Sequence, residues 1–401
     1  MVMGVPTTEP PNMTLDAGAK LLQAVRELAP TLTARSAEIE KAGELPEDLV
    51  ALLKDLGCYR MFVPRSHGGL ELDLVTGLEV LAELARADAS TGWTMMITSE
   101  SPQLFSLLPR EEFDALYANG PDITGGGAFN AQGLAMQVDG GYRVTGRWNF
   151  ASNCRRTDWL FGNCVVLGPD GQPRPGPVEG LPETRAMVVP ARDVRIEEHW
   201  DVLGMRGTGS HDILIDTFVP QQRTFDIFTG QPAVPGPCYM VPVLHYALHI
   251  GAVAAGIAQG AVDDLLVLAR SGKRRLYART SLIDSPVFRN RLGRAETGAR
   301  AAHDTLRRMG EVFWEACKHS PQAAFAMAPQ VSATLAWVAE TAAEVVTACY
   351  HAGGGTTVRD GTSLQRRFRD IHTLTQHAAV AEGWFTQEGS ALLGFPVLFE
   401  A

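Results

Sequence analysis

Near the end of the sequence, the run QRRFRDIHTLTQHAAVAEGW (residues 365–384) gathers three arginines, an aspartate and two histidines. Imidazole changes protonation near neutral pH, so His372 and His377 are candidates for proton transfer. If the whole run is helical, residues five apart point roughly 140° apart. That geometry argues against both rings facing one small site and against a two-histidine metal centre; no metal is expected. One histidine facing a site, with the other supporting it or lying at an interface, is the better reading. Arg366 and Asp370 stand four apart, the spacing of an intrahelical ion pair. The position after His377 is Ala378, which cannot accept a proton.

Three kinds of segment must hold these residues. From about Leu15 to Gly120 the spacing of apolar residues is helical, as in LLQAVRELAPTLTARSAEIEK and PEDLVALLKDLG, with Pro46 suited to a first helical turn. From about Pro121 to Thr229 the texture is β: QVDGGYRVTGRWNF reads as two alternating runs around an Asp-Gly-Gly turn. After the linker QPAVPGP, alanine-rich helical runs continue almost to the end. The expected division is a disordered tail (1–14), an N-terminal helical domain (15–120), a central β-domain (121–232) and a C-terminal helical bundle (233–401).

Composition narrows the function. The 401 residues are 45% hydrophobic, enough for a large core, and 45 acidic residues outnumber 35 basic ones, which disfavours nucleic acid or an anionic membrane as partner. The six cysteines show no metal-ligand spacing and read as reduced thiols of a cytoplasmic protein. The apolar run YALHIGAVAAGIAQGAVDDLLVLA is interrupted by polar residues and is expected to be a buried core helix rather than a membrane span. No Walker loop, GxGxxG, HExxH or GxSxG occurs, so the chain builds no nicotinamide site of its own. Alone, the glycine groups GGGAFNAQG (125–133), GMRGTG (204–209) and AGGGTT (352–357) are compatible with ordinary turns.

In order, GGYRVTGRWNFASNCRRTDW, GMRGTGSHDILIDTFVP and AGGGTTVRDGTSLQRRFRDIH resemble the acyl-CoA dehydrogenase family, as do LPEDLVALLKDLGCYRMFVPRSHGGLELD and STGW earlier in the chain. The resemblance covers nearly the whole sequence. It implies an α+β fold with an N-terminal helical domain, a central β-barrel or sandwich, a C-terminal four-helix bundle, a flavin between the last two, and a homotetramer. Acyl-CoA dehydrogenases carry a catalytic glutamate after an Arg-Asp pair. Counting from Arg369-Asp370, its place is taken by Ala378, and the alternative glutamate position has no equivalent in LARSGKRRLYARTSLIDSPVF. The better match is the oxygenase branch, the two-component flavin-dependent monooxygenases that include seco-steroid phenol hydroxylase, the p-hydroxyphenylacetate hydroxylase oxygenase component and dibenzothiophene monooxygenase. The resemblance then implies reduced FMN or FAD from a separate NAD(P)H-dependent reductase, O2 bound as a flavin C4a-hydroperoxide, and hydroxylation of a small aromatic or polycyclic substrate.

Site roles follow from the same resemblance. Ser152 matches the serine beside flavin N5, Trp148 packs by the flavin ring, and His377 faces the oxygen chemistry as base or proton relay, with His372 in support. Thr124, Gly126 and Gly127 replace a serine-rich loop under the flavin. Gly353 and Gly354 let backbone approach the cofactor, and Arg366 and Arg369 are candidates for flavin phosphate. Substrate contacts are expected from Trp93, Glu100 and Ser101, the last standing where phenol hydroxylases have a histidine. Asn153 replaces a motif glycine and Arg155-Arg156 an Asp-His pair, so the arginines are further candidates for a polar substrate group. A dehydrogenase with another base, an N-hydroxylating monooxygenase and a scaffold that has lost flavin are the alternatives.

Overall fold

The computed structural model describes residues 12–274 and 278–395, with only the backbone for 12–16. The expected tail lies outside the described residues as far as residue 11, and the first helix begins at Asn12. Among the described residues six α-helices come first: α1 (Asn12–Ala42), α2 (Glu47–Leu56), α3 (Leu74–Ala87), α4 (Ala89–Ser99), α5 (Ser101–Phe105) and α6 (Arg110–Leu116). Asp73 caps α3 and Asp88 caps α4, each carboxylate accepting the N–H three residues on.

Seven strands follow: β1 (Gly125–Val138), β2 (Gly141–Ala151), β3 (Trp159–Leu167), β4 (Thr184–Pro190), β5 (Arg195–Glu197), β6 (His211–Pro220) and β7 (Thr224–Phe225). They form one mixed sheet in the order β5-β6-β2-β1-β3-β4-β7. The Asp139-Gly140 turn joins β1 to β2 with Val138 opposite Gly141, as the sequence predicts. β1 and β3 run parallel.

The remaining helices are α7 (Pro242–Arg270), α8 (Pro286–His319), α9 (Pro321–Phe325), α10 (Ala328–Gly353), α11 (Ser363–Leu374) and α12 (Gly383–Leu392). By length and composition α7 could cross a membrane. Its Leu248, Val253, Ile257 and Leu265 are nevertheless fully buried, and it packs against α3, α8 and α10. Helical residues from both ends of the chain share one core, from Val25 and Leu49 to Val346 and Ile371, while the sheet has its own around Trp148, Ile213 and Val144. All six cysteines are buried and free.

Two expectations about the late segment change here. α11 stops at Leu374, and His377 instead caps a short 3-10 turn at Ala378–Val380. The two histidines therefore do not share a helix, and the 140° relation between them does not apply. Arg366 does not pair with Asp370. It pairs with Glu40 at 2.9 Å, and Asp370 accepts the Met205 N–H at 2.6 Å. A carboxylate far away in sequence thus outcompetes the one four residues along the helix.

Candidate active site

The end of β2 sets the site. β2 and β6 lose register between Trp148 and Ala151, and Phe150 and Asn153 take left-handed backbone angles (φ 66° and 57°). Such a bulge re-aims the residues that follow it. Asparagine tolerates this conformation better than most side chains, which suits Asn153 to the position where the resemblance leads one to expect glycine.

Ser152 is buried within this distortion. Its hydroxyl accepts the Trp93 indole N–H at 3.0 Å and lies 2.8 Å from the Ser210 hydroxyl. Ser210 lies 2.7 Å from the Thr208 hydroxyl, which donates to the Met205 carbonyl at 2.8 Å. Trp93, on α4, meets His377 edge-on with ring centroids 5.6 Å apart. Trp93 thus joins Ser152 to His377, bringing α4, the end of β2 and the loop after α11 to one place.

His377 keeps a solvent-accessible face, while the protein packed around the rest of the ring lowers its pKa below the ordinary imidazole value. The Ala379 N–H donates to its Nδ1 at 3.2 Å. In the neutral ring that bond places the proton on Nε2, which makes His377 a donor at Nε2. A base role through Nε2 would require breaking the Ala379 contact. Ala378 contributes only its carbonyl, which accepts the Trp384 indole N–H at 3.0 Å.

Two helical turns after Trp93, Glu100 is buried and lies 2.9 Å from His249 Nδ1 on α7. Burial raises the Glu100 pKa and lowers that of His249. Both shifts favour the uncharged forms, so we read this contact as a neutral carboxyl–imidazole hydrogen bond rather than an ion pair. His249 stacks on Phe62 at 4.9 Å. Around this pair, His249 Nε2, His245 Nδ1, Gln103 Oε1, and the Tyr117 and Tyr246 hydroxyls are buried with no partner among the described residues. Sequence reasoning missed Ser210, Thr208, His249 and Tyr246, since no local spacing marks them.

Several expected site residues lie elsewhere or have their polar atoms committed. Trp148 is fully buried in the sheet core, edge against Gly133 and Gly162, with its indole N–H donating to the Asn163 carbonyl at 2.7 Å. It is a packing residue and not a wall of the site. His372 turns to Thr347 (3.2 Å) and Phe368, joining α11 to α10. Arg366 and Arg369 both bind Glu40, and Arg369 also donates to the Leu203 carbonyl at 2.9 Å, so they staple helices and a loop rather than await a phosphate. Thr124 exchanges hydrogen bonds with Asp158. The Ser101 hydroxyl donates to the Thr98 carbonyl at 2.7 Å and accepts the Gly125 N–H at 2.6 Å. Arg155 pairs with Glu198 and Arg156 with Glu44.

The glycine groups divide similarly. Gly126 lies beside the Ser152 carbonyl. At Gly127 (φ 153°) a Cβ would lie 2.0 Å from the Phe161 carbonyl, so glycine there serves β1–β3 pairing. At Gly204 a Cβ would meet the α11 backbone at 2.3 Å. Gly353 and Gly354 line a separate cavity of about 560 Å³ with Lys273, Arg274, His351 and Arg359.

Comparison with known proteins gives this geometry a family. The acyl-CoA dehydrogenase N-terminal domain matches residues 17–105 and the C-terminal domain residues 248–382. The chain is 30% identical over 377 residues to indole-3-acetate monooxygenase of Pseudomonas putida, covering 93% of this chain and 92% of that one. It belongs to the acyl-CoA dehydrogenase family. Within that family it groups with flavin-dependent monooxygenases. The oxygenase subunit HsaA of Rhodococcus jostii is 28% identical over 94% of this chain and 99% of its own length. Among solved structures, the 3-HSA hydroxylase of Rhodococcus sp. RHA1 superposes with a TM-score of 0.86 at 26% identity, covering 94% of this chain and 98% of that one. XiaF from Streptomyces sp., in complex with FADH2 and glycerol, gives 0.86 at 25% identity, covering 97% and 99%.

The residues present suit a reduced flavin. Ser152 presents a buried hydroxyl beside Trp93, His377 offers an Nε2–H, and no carboxylate stands at Ala378.

Proposed function

We propose that this chain is the oxygenase component of a two-component flavin-dependent monooxygenase. It takes reduced FMN or FAD from a separate NAD(P)H-dependent reductase and uses O2 to hydroxylate a small aromatic or polycyclic substrate. The observation that carries this reading is the Trp93–Ser152–His377 cluster, which has a hydroxyl and an imidazole donor where a dehydrogenase of this fold needs a carboxylate base. Bound reduced flavin supplies the electrons that activate oxygen. Ser152 accepts the flavin N5–H, Trp93 holds Ser152 in place, and His377 Nε2–H donates to an oxygen atom in the site. Gly126 lets the cofactor approach Ser152. Gly353 and Gly354, with Arg274 and Arg359, form a basic pocket suited to flavin phosphate, of this or a neighbouring subunit in a homotetramer. We place the enzyme in the cytoplasm.

The Glu100–His249 pair and the unpartnered polar atoms beside it suit a flat, mostly apolar substrate bearing a hydroxyl or N–H. Phe62 and Tyr246 supply aromatic surface there.

The test is anaerobic mixing of the protein with reduced FMN or FAD, followed by O2 in a stopped-flow cell. The reading expects a transient absorbing near the ultraviolet–visible border before oxidised flavin appears. Tight oxidised FAD bleached by an acyl-CoA, with no such transient, would replace it with the dehydrogenase reading.

A further inference from the structure

We propose that the hydroxyl chain from Ser152 through Ser210 and Thr208 fixes Ser152 as a pure hydrogen-bond acceptor, so that the site selects reduced over oxidised flavin. The inference rests on the reading that Ser152 meets flavin N5.

The direction of the chain follows from its end. A carbonyl can only accept, so the Thr208 hydroxyl proton goes to the Met205 carbonyl at 2.8 Å. Thr208 therefore accepts from Ser210 at 2.7 Å, and Ser210, its proton used, accepts from Ser152 at 2.8 Å. The end is well anchored. The Met205 carbonyl also accepts the Trp200 indole N–H at 3.0 Å, the Met205 N–H donates to Asp370, and the Thr208 carbonyl accepts the Asn153 N–H at 2.8 Å. All three hydroxyl residues are buried, so water does not reorder them. On its other side, Ser152 accepts from Trp93. Its proton is committed to the chain, and only a lone pair remains.

That lone pair discriminates between redox states. Reduced flavin carries N5–H, a donor that the Ser152 lone pair satisfies. Oxidised flavin presents an N5 lone pair, which meets another lone pair and gains nothing. An oxygenase that receives reduced flavin and releases oxidised flavin gains both steps from one fixed proton order.

The test measures dissociation constants of FAD and FMN, oxidised by fluorescence and reduced by anaerobic titration, for wild type, Ser210→Ala, Thr208→Val and Ser152→Ala. Ser210→Ala removes the acceptor for the Ser152 proton, and Thr208→Val removes the acceptor that orders Ser210. Either change frees the Ser152 hydroxyl to donate to oxidised N5. Both variants should lower the oxidised-to-reduced Kd ratio by about two- to tenfold, the equivalent of one ordinary hydrogen bond, through tighter oxidised binding. Ser152→Ala should weaken reduced binding without weakening oxidised binding. If Ser152→Ala shifts the ratio while Ser210→Ala and Thr208→Val match wild type, the proton order proposed here is wrong and the N5 reading stands. If Ser152→Ala changes neither constant, the N5 reading fails and takes this inference with it. Circular dichroism checks folding, and the two relay variants back each other should one fail to fold.

Discussion

Helix α4 and the residue after it separate two buried polar clusters of opposite character. On one side, Trp93, Ser152, Ser210 and Thr208 form a continuous hydrogen-bonded chain, to which the proton order proposed above gives each donor an acceptor. On the other, Glu100 and His249 pair with each other, but His249 Nε2, Tyr246 and Gln103 retain buried polar atoms without partners among the described residues. A saturated network is rigid and presents one defined group, whereas unpaired buried groups are costly until something binds them. The saturated side thus has the character of a cofactor platform, common to many substrates. The unsaturated side has the character of a recognition surface, where one substrate supplies the missing partners.

Breaking the first side should have the largest effect. His377→Ala should lower the product formation rate by roughly 10²–10⁴-fold with flavin affinity retained, as read by product and hydrogen peroxide yields per O2 consumed. Equal yields in the variant would remove His377 from the chemistry.

The second side is tested by stability. Glu100→Ala leaves His249 Nδ1 buried and unpaired, and should cost about 1–3 kcal/mol in urea unfolding. Glu100→Gln, which keeps a donor for Nδ1, should cost less. A larger loss in Glu100→Gln would mean that the pair is charged after all.

A third variant probes the anchor of the hydroxyl chain. Burial raises the Asp370 pKa to about 7, above the ordinary carboxyl value of about 3.9. The stability tied to its proton is therefore full below about pH 4 and is lost as pH rises through 7. Asp370→Asn can still accept the Met205 N–H and does not titrate. Relative to wild type, it should gain stability between pH 5 and pH 8 in urea midpoints; a constant difference would show that Asp370 is ionised throughout.

The smallest effect belongs to Arg155→Ala. Although it lies three residues from Ser152, Arg155 holds a partly exposed ion pair with Glu198. Its loss should change stability by less than about 1 kcal/mol and leave substrate KM unmoved.

The comparison also shows what the sequence reveals. The helix–sheet–helix order, the Asp-Gly turn and the buried α7 follow from periodicity and turn chemistry, and the family motifs lead to Ser152, Trp93 and His377. Partners far apart in the chain do not follow. Nothing near Arg366 announces Glu40, 326 positions earlier, so the local i,i+4 rule names the wrong acid. The segment that reads as one helix stops before His377, and the backbone N–H that sets its tautomer exists only in the turn beyond. Trp148 shares a motif with Ser152 but falls on the core side of the bulge, where the glycines of neighbouring strands make room for its ring. Ser210 and Thr208 are small polar residues in a loop, and only their side-chain contacts distinguish them from turn residues.

Oxygen transfer from reduced flavin is read out as product formed per O2 consumed. The measurement supplies FMN or FAD, a flavin reductase, NAD(P)H and a panel of uncharged phenols and indoles to the protein. At least one substrate should be hydroxylated with an oxygen atom from labelled O2, coupled to consumption well above the reductase-only control. Oxygen reduced wholly to hydrogen peroxide across the panel, together with reduction of bound oxidised FAD by an acyl-CoA, would contradict it.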